Sequence, residues 1–120
     1  LPEGLYRFAA PPAEPALAAL AWLLGAYRFD RYKAGKARAA RLVLPEGADV
    51  ARLTRMTDAV TFGRDLVNTP ANDLGPDALE AAARSFAERR GIGFSVTVGD
   101  DLLARNFPMI HAVGRASATP

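Results

Sequence analysis

The feature that most constrains this chain is the segment Asn68-Thr69-Pro70-Ala71-Asn72-Asp73, a cluster of helix- and strand-breaking residues between two stretches of helical periodicity. Before it, Leu53, Met56, Val60 and Val67 fall on one stripe, which predicts a long helix over 50–67 with Asp49 as its cap. After it, Pro76 suits a first helical turn, and Leu79, Ala82, Ala83 and Phe86 form an apolar face. Arg89 and Arg90 favour the end of that helix, and Gly91 can stop it in the left-handed conformation.

The flanking segments add shorter elements. Leu5 to Phe8 reads as a short strand. Ala16 to about Tyr32 reads as a helix entered through Pro15, with Leu17, Leu20, Ala21 and Leu24 on its buried face and Arg31 and Lys33 at its end. Arg41 to Leu44 reads as a strand stopped by Pro45-Glu46-Gly47. Phe94, Val96 and Val98 alternate with Ser95 and Thr97, a strand pattern. A short helix follows within Gly99–Asn106, and Met109 to Val113 reads as a last strand. Alternation of this kind predicts an α/β fold with a largely parallel sheet.

Composition narrows the chemistry. With 120 residues, half of them hydrophobic, one small core is affordable. The apolar run Ala16–Leu24 is about half a membrane span, so a buried helix is expected there, and no signal-peptide pattern surrounds it. The chain has no cysteine, which excludes disulfides and thiolate chemistry and fits a reducing, cytoplasmic location. With His111 as the one histidine, a His/Cys zinc site within the chain is excluded. The net charge of +2 is not a nucleic-acid signature.

Three groups of residues are candidates for function. Arg28, Arg31, Lys33, Lys36, Arg38 and Arg41 form a basic run opposed by Asp30, which reads either as an anion or nucleic-acid patch or as a solvated helix end and loop. The loop reading is preferred, since the patch is short, and Tyr27, Phe29 and Tyr32 can equally accompany it or pack on the core. His111, flanked by Ile110 and Ala112, has no triad partner in sight and reads as structural. Asp65, Asp73, Asp77, Glu80, Asp100 and Asp101 match no metal-ligand spacing; Asp77 and Glu80 suit a helix start, and Asp100 and Asp101 suit a cap. No phosphate loop, nucleophile elbow or HExxH motif is present. Residue chemistry alone therefore stops at an α/β domain of open function.

Three segments carry more. Gly63-Arg64-Asp65-Leu66-Val67-Asn68-Thr69-Pro70-Ala71-Asn72-Asp73-Leu74-Gly75-Pro76 resembles the junction before the catalytic domain of leucyl aminopeptidases of peptidase family M17, R-[DE]-L-x-N-x-P-[AS]-N. Leu24 to Lys33 resembles the family's G-x-Y-x-F-x-x-Y-K segment. Asn106 to Ser117 resembles the strand leading toward its metal-binding core. All three occur in family order.

The resemblance implies that residues 1–47 are the C-terminal part of an N-terminal α/β domain, 48–68 a connecting helix, and 69–120 the start of an α/β catalytic domain. The chain starts Leu-Pro without Met and stops after an expected strand, so both ends are expected to be cut. The resemblance further implies removal of N-terminal residues, often Leu, from peptides by a homo-oligomeric, hexameric, cytoplasmic enzyme with two divalent ions, zinc or manganese. The family's ligands lie in motifs such as V-G-K-G and F-D-T-G-G, after the position of Pro120. No catalytic or metal residue is therefore carried over. Lys33 and Lys36 do not match the metal-binding Lys, nor Arg115 the catalytic Arg. The fragment is expected to be inert and to bind no metal. Asn68, Pro70 and Asn72 carry over as the structural loop at the domain junction, where Asn72→Ala should loosen the turn. The alternative is a non-catalytic anion-binding, nucleic-acid-binding or oligomerisation module built on Arg28–Arg41.

Overall fold

A computed structural model of the protein describes residues 1–35 and 39–117. The chain divides into two compact units, Leu1–Asn68 and Thr69–Pro120.

The first unit begins as a strand–helix–strand motif. Strand β1 (Gly4–Tyr6) pairs in parallel with β2 (Ala40–Leu42), in the register Gly4–Ala40, Leu5–Arg41 and Tyr6–Leu42. Strand alternation sorts the side chains: Tyr6 and Leu42 are half-buried, whereas Leu5 and Arg41 are exposed. Tyr6 meets Trp22 of the intervening helix, ring centroids 5.7 Å apart. That helix, α1, spans Pro15–Gly25. Pro15 costs nothing at the first turn, and the Glu14 carbonyl accepts from Ala18 at 2.9 Å.

The expected extension of α1 to Tyr32 is corrected. The helix stops at Gly25, and the Ala26 N–H closes its last turn on the Trp22 and Leu23 carbonyls. Glycine is the least helix-prone residue after proline, and nothing downstream restores the cost. Arg31 and Lys33 thus lie beyond the helix and do not serve its dipole. The buried face is also rotated from the expected one: Ala19 is fully buried and Leu17 is exposed. Ala19, Trp22 and Leu23 form the i, i+3, i+4 face that turns inward.

Helix α2 (Val50–Asn68) is capped as the sequence predicts: Asp49 Oδ1 accepts from the Arg52 N–H at 2.9 Å. It packs against α1. Of the expected stripe only Leu53 is buried; Met56 and Val60 are partly exposed and Val67 is 85% exposed. Lengths explain this. An 11-residue α1 spans about 16 Å and a 19-residue α2 about 28 Å, so one cannot cover the other.

The second unit is helical in its described residues. Helix α3 (Pro76–Arg90) starts at Pro76 with Asp77 in its first turn and ends with Arg89 and Arg90. Gly91 at φ 63° closes it, with the Ile92 N–H on the Ala87 carbonyl and the Gly91 N–H on that of Glu88. Ala87 is buried, and Ala82, Ala83 and Phe86 are half-buried, but Leu79 is exposed, against expectation. It projects from the first turn of α3.

Two expected strands are corrected. Residues 92–98 lie outside regular structure: alternation supplies a face, but a strand exists only through a ladder partner, and the described residues of this unit contain none. Residues 109–113 lie within α5 (Pro108–Gly114), opened by Pro108. A short apolar run fits strand and helix equally, and the helix-starting proline decides. Before it, α4 (Asp101–Ala104) packs on α5 and ends at Asn106, φ 63°.

Candidate functional site

The residues before the breaker cluster, with its first residue Asn68, form a connected polar site in the first unit. In the last turns of α2, Arg64, Asp65 and Asn68 share one face, because 64 and 68 are one helical turn apart. They converge on Tyr27, two residues past α1. The Tyr27 hydroxyl donates to Asp65 Oδ1 at 2.7 Å, and Asn68 Nδ2 donates to the Tyr27 oxygen at 3.0 Å. Arg64 lies over the Tyr27 ring at 5.3 Å and donates from Nη1 to the Leu24 carbonyl at 2.8 Å. Arg64 thereby satisfies one of the carbonyls that the end of α1 leaves without a helical partner. Tyr27 is half-buried, so desolvation first, then the hydrogen bond to Asp65, raise its phenol above the ordinary value of about 10.0. The Asn68 bond and the Arg64 charge oppose the shift. The phenol is a neutral donor throughout the physiological range.

Of the loop residues Asn68, Pro70 and Asn72, Asn68 joins this network. The Pro70 carbonyl closes the next turn by accepting from Asp73 at 2.9 Å and Leu74 at 3.0 Å. Asn72 is exposed within that turn.

In the basic run, Arg28, Arg31, Lys33 and Arg41 are all exposed; Lys36 and Arg38 lie outside the described residues. Asp30 sits inside the group, 3.6 Å from Arg28 Nε and accepting from the Gly35 N–H at 3.2 Å. Arg31 lies over the Tyr32 ring, and Tyr32 packs edge-on to Phe29. Arg41 stands on β2.

The other carboxylates are spread out. Glu80 pairs with Arg84 one turn on at 2.9 Å, and Arg84 covers the Phe94 ring. Asp101 sits in the first turn of α4, but Asp100 does not cap it. Its side chain turns to His111, with Oδ1 3.3 Å from Nε2, which the α4–α5 packing brings near. Among the described residues no three of His, Asp and Glu gather as a metal site would require.

The second unit also has a groove of about 770 Å³, lined by Val96, Val98, Leu102, Ile110 and the Glu80–Arg84 pair among others. Its largely apolar lining can bury apolar groups.

Sequence reasoning left Tyr27 between the basic run and core packing and gave Arg64 no role. The signal was the joint presence of two motif segments, one holding Tyr27 and the other Arg64, Asp65 and Asn68.

Residues 61–120 match the model of the cytosol aminopeptidase family, catalytic domain, and residues 1–45 that of the M17 aminopeptidase N-terminal domain. The chain is 38% identical to the probable cytosol aminopeptidase of Streptomyces avermitilis, over 80% of this chain and 22% of that protein. It is 36% identical to that of Streptomyces coelicolor, over 93% of this chain and 27% of that protein. The crystal structure of the cytosol aminopeptidase from Coxiella burnetii superposes with a TM-score of 0.86 at 34% identity, covering all of this chain and 27% of that one. The chain thus spans about a quarter of the length of the curated relatives it matches. With two domain models matched in order and the fold reproduced, the chain belongs to the cytosol aminopeptidase family, M17.

Proposed function

We propose that this chain forms part of a metal-dependent aminopeptidase that removes N-terminal residues, leucine among them, from peptides. The observation that carries this reading is the order of the two family matches, 1–45 and then 61–120, on one polypeptide. In the same reading, residues 1–47 close the N-terminal domain, 48–68 connect, and 69–120 open the catalytic domain, with Asn68, Pro70 and Asn72 as the junction loop. The compact units that meet at Asn68 and Thr69 support that division. The parent assembles as a cytoplasmic homo-oligomer, a hexamer as the resemblance implies. No helix of the described residues is long and apolar enough to cross a membrane.

The implied pair of divalent ions, manganese or zinc, does not fit the donors present, since Asp100 and His111 meet only as a pair and no three of the described His, Asp and Glu residues gather. No step of peptide hydrolysis is assigned to side chains of this chain, and its role is to build and support the domain that carries the chemistry. The isolated chain is inert.

The test has two arms. The 120-residue chain, checked for helix content, should not release p-nitroaniline from Leu-p-nitroanilide with added Mn²⁺; turnover would contradict its inertness. A chimera carrying residues 1–120 in place of the matching segment of the Streptomyces avermitilis relative should hydrolyse the substrate within about tenfold of its parent. A folded chimera without turnover would reject the aminopeptidase reading.

A further inference from the structure

We propose that Tyr27 is a proton-dependent latch that fixes the last turn of α2 to the end of α1: its phenol donates to Asp65 and accepts from Asn68, while Arg64 covers its ring and caps α1. The latch gives one physical meaning to two sequence segments about forty residues apart, Leu24–Lys33 and Gly63–Pro76.

The direction of each bond is forced. An ionised Asp65 can only accept, so the phenol spends its one proton there. The phenol oxygen is then left as an acceptor, which fixes Asn68 with its amide nitrogen inward, since the reverse orientation would set two acceptors against each other. Arg64 cannot compete for the phenol proton, because it is a donor only, and its Nη1 is already committed to Leu24. Tyr27 thus both donates and accepts, and the two bonds and the Arg64 ring contact tie it to one face of α2.

The circuit depends on the phenol proton. Removing it would set a phenolate against a carboxylate at 2.7 Å and leave that contact with no donor. Asp65 and Arg64 are the charged groups that face Tyr27, and both come from α2. Because the folded-state value lies above the unfolded one, the latch contributes fully below the unfolded tyrosine pKa and is lost as pH rises through the folded value.

Hydrogen–deuterium exchange on the 120-residue chain tests this. Tyr27→Phe keeps the ring beneath Arg64 and removes only the hydroxyl. It should speed exchange of amides 64–68 about tenfold while leaving amides 52–56 unchanged. Exchange of the wild-type turn, corrected for intrinsic pH dependence, should rise further in the alkaline range; that of Tyr27→Phe should not. Equal protection of 64–68 in the two proteins would overturn the latch. Should Tyr27→Phe not fold, Asp65→Asn serves. It keeps an acceptor oxygen and removes the charge, so one of the three tyrosines must ionise at lower pH in ultraviolet difference absorbance. An unshifted titration would overturn the proposal equally.

Discussion

Two threonines on α2 make opposite use of the same hydroxyl. Thr54 donates to the Val50 carbonyl one turn back, at 2.9 Å, and is exposed. Thr57 has its hydroxyl shut away from solvent with no partner among the described residues. An unsatisfied buried hydroxyl costs about 1–3 kcal/mol, and valine has the same branched shape without it. Thr57→Val is therefore expected to stabilise the first unit by about 1 kcal/mol, raising its melting midpoint by roughly 4 °C. A calorimetric scan showing a lower midpoint would mean that the hydroxyl has a partner in solution. The junction asparagines differ in a related way. Asn68 spends its amide on Tyr27, whereas Asn72 stands exposed in the turn closed by Pro70. Both Ala variants should lose stability, Asn68→Ala by about 1 kcal/mol and Asn72→Ala by about half that. Urea midpoints in the reverse order would place the anchor of this loop at Asn72.

At the scale of elements, helix ends are set by single residues. Gly91 and Asn106 both sit at φ 63° and close α3 and α4 with the same pair of bonds; after α4 the Phe107 N–H reaches the Leu102 carbonyl at 2.7 Å and the Asn106 N–H that of Leu103 at 3.0 Å. Gly91→Ala places a Cβ in the left-handed region, at a cost of about 1–2 kcal/mol. Asn106→Gly, which relieves the same strain, should change stability by less than about 0.5 kcal/mol. Denaturant midpoints that move equally would show that the backbone at Gly91 relaxes out of that conformation. These positions also show what could be read in advance. Asp49, Pro76 and Gly91 act within one turn of themselves, so their roles were legible from sequence. The end of α1, the helix at 108–114 and the unpaired stretch at 92–98 depend on what packs against them, and local pattern misassigned all three. The Tyr27 network is harder still, because its partners are 38 and 41 residues away. The sequence reading did not link them, although the two segments that hold them were both singled out.

Among the described residues, few apolar side chains are fully enclosed. Ala19, Leu53 and Ala87 are the buried hydrophobic residues among those described, and two are alanines. Meanwhile Leu1, Leu5, Val67, Met109 and Val113 each expose three quarters or more of their surface. Burying one leucine or valine side chain stabilises by about 1.5–3 kcal/mol, so each of these exposed side chains leaves a substantial driving force unused. In the first unit, the β1–β2 pair presents unpaired backbone on both outer edges among the described residues. In the second, the groove beside Val96, Val98 and Ile110 is open to solvent and apolar. Surfaces of this kind are covered in stable proteins by further chain or by partners. The isolated 120 residues are thus expected to bind a hydrophobic dye and to self-associate as concentration rises, in sedimentation velocity runs from the micromolar range upward. Placing glutamate at Met109 and Val113 together should reduce both dye binding and association without lowering helix content, because neither side chain is buried. A chain that stays monomeric and dye-silent at every concentration would mean that these apolar groups find cover within the molecule in solution.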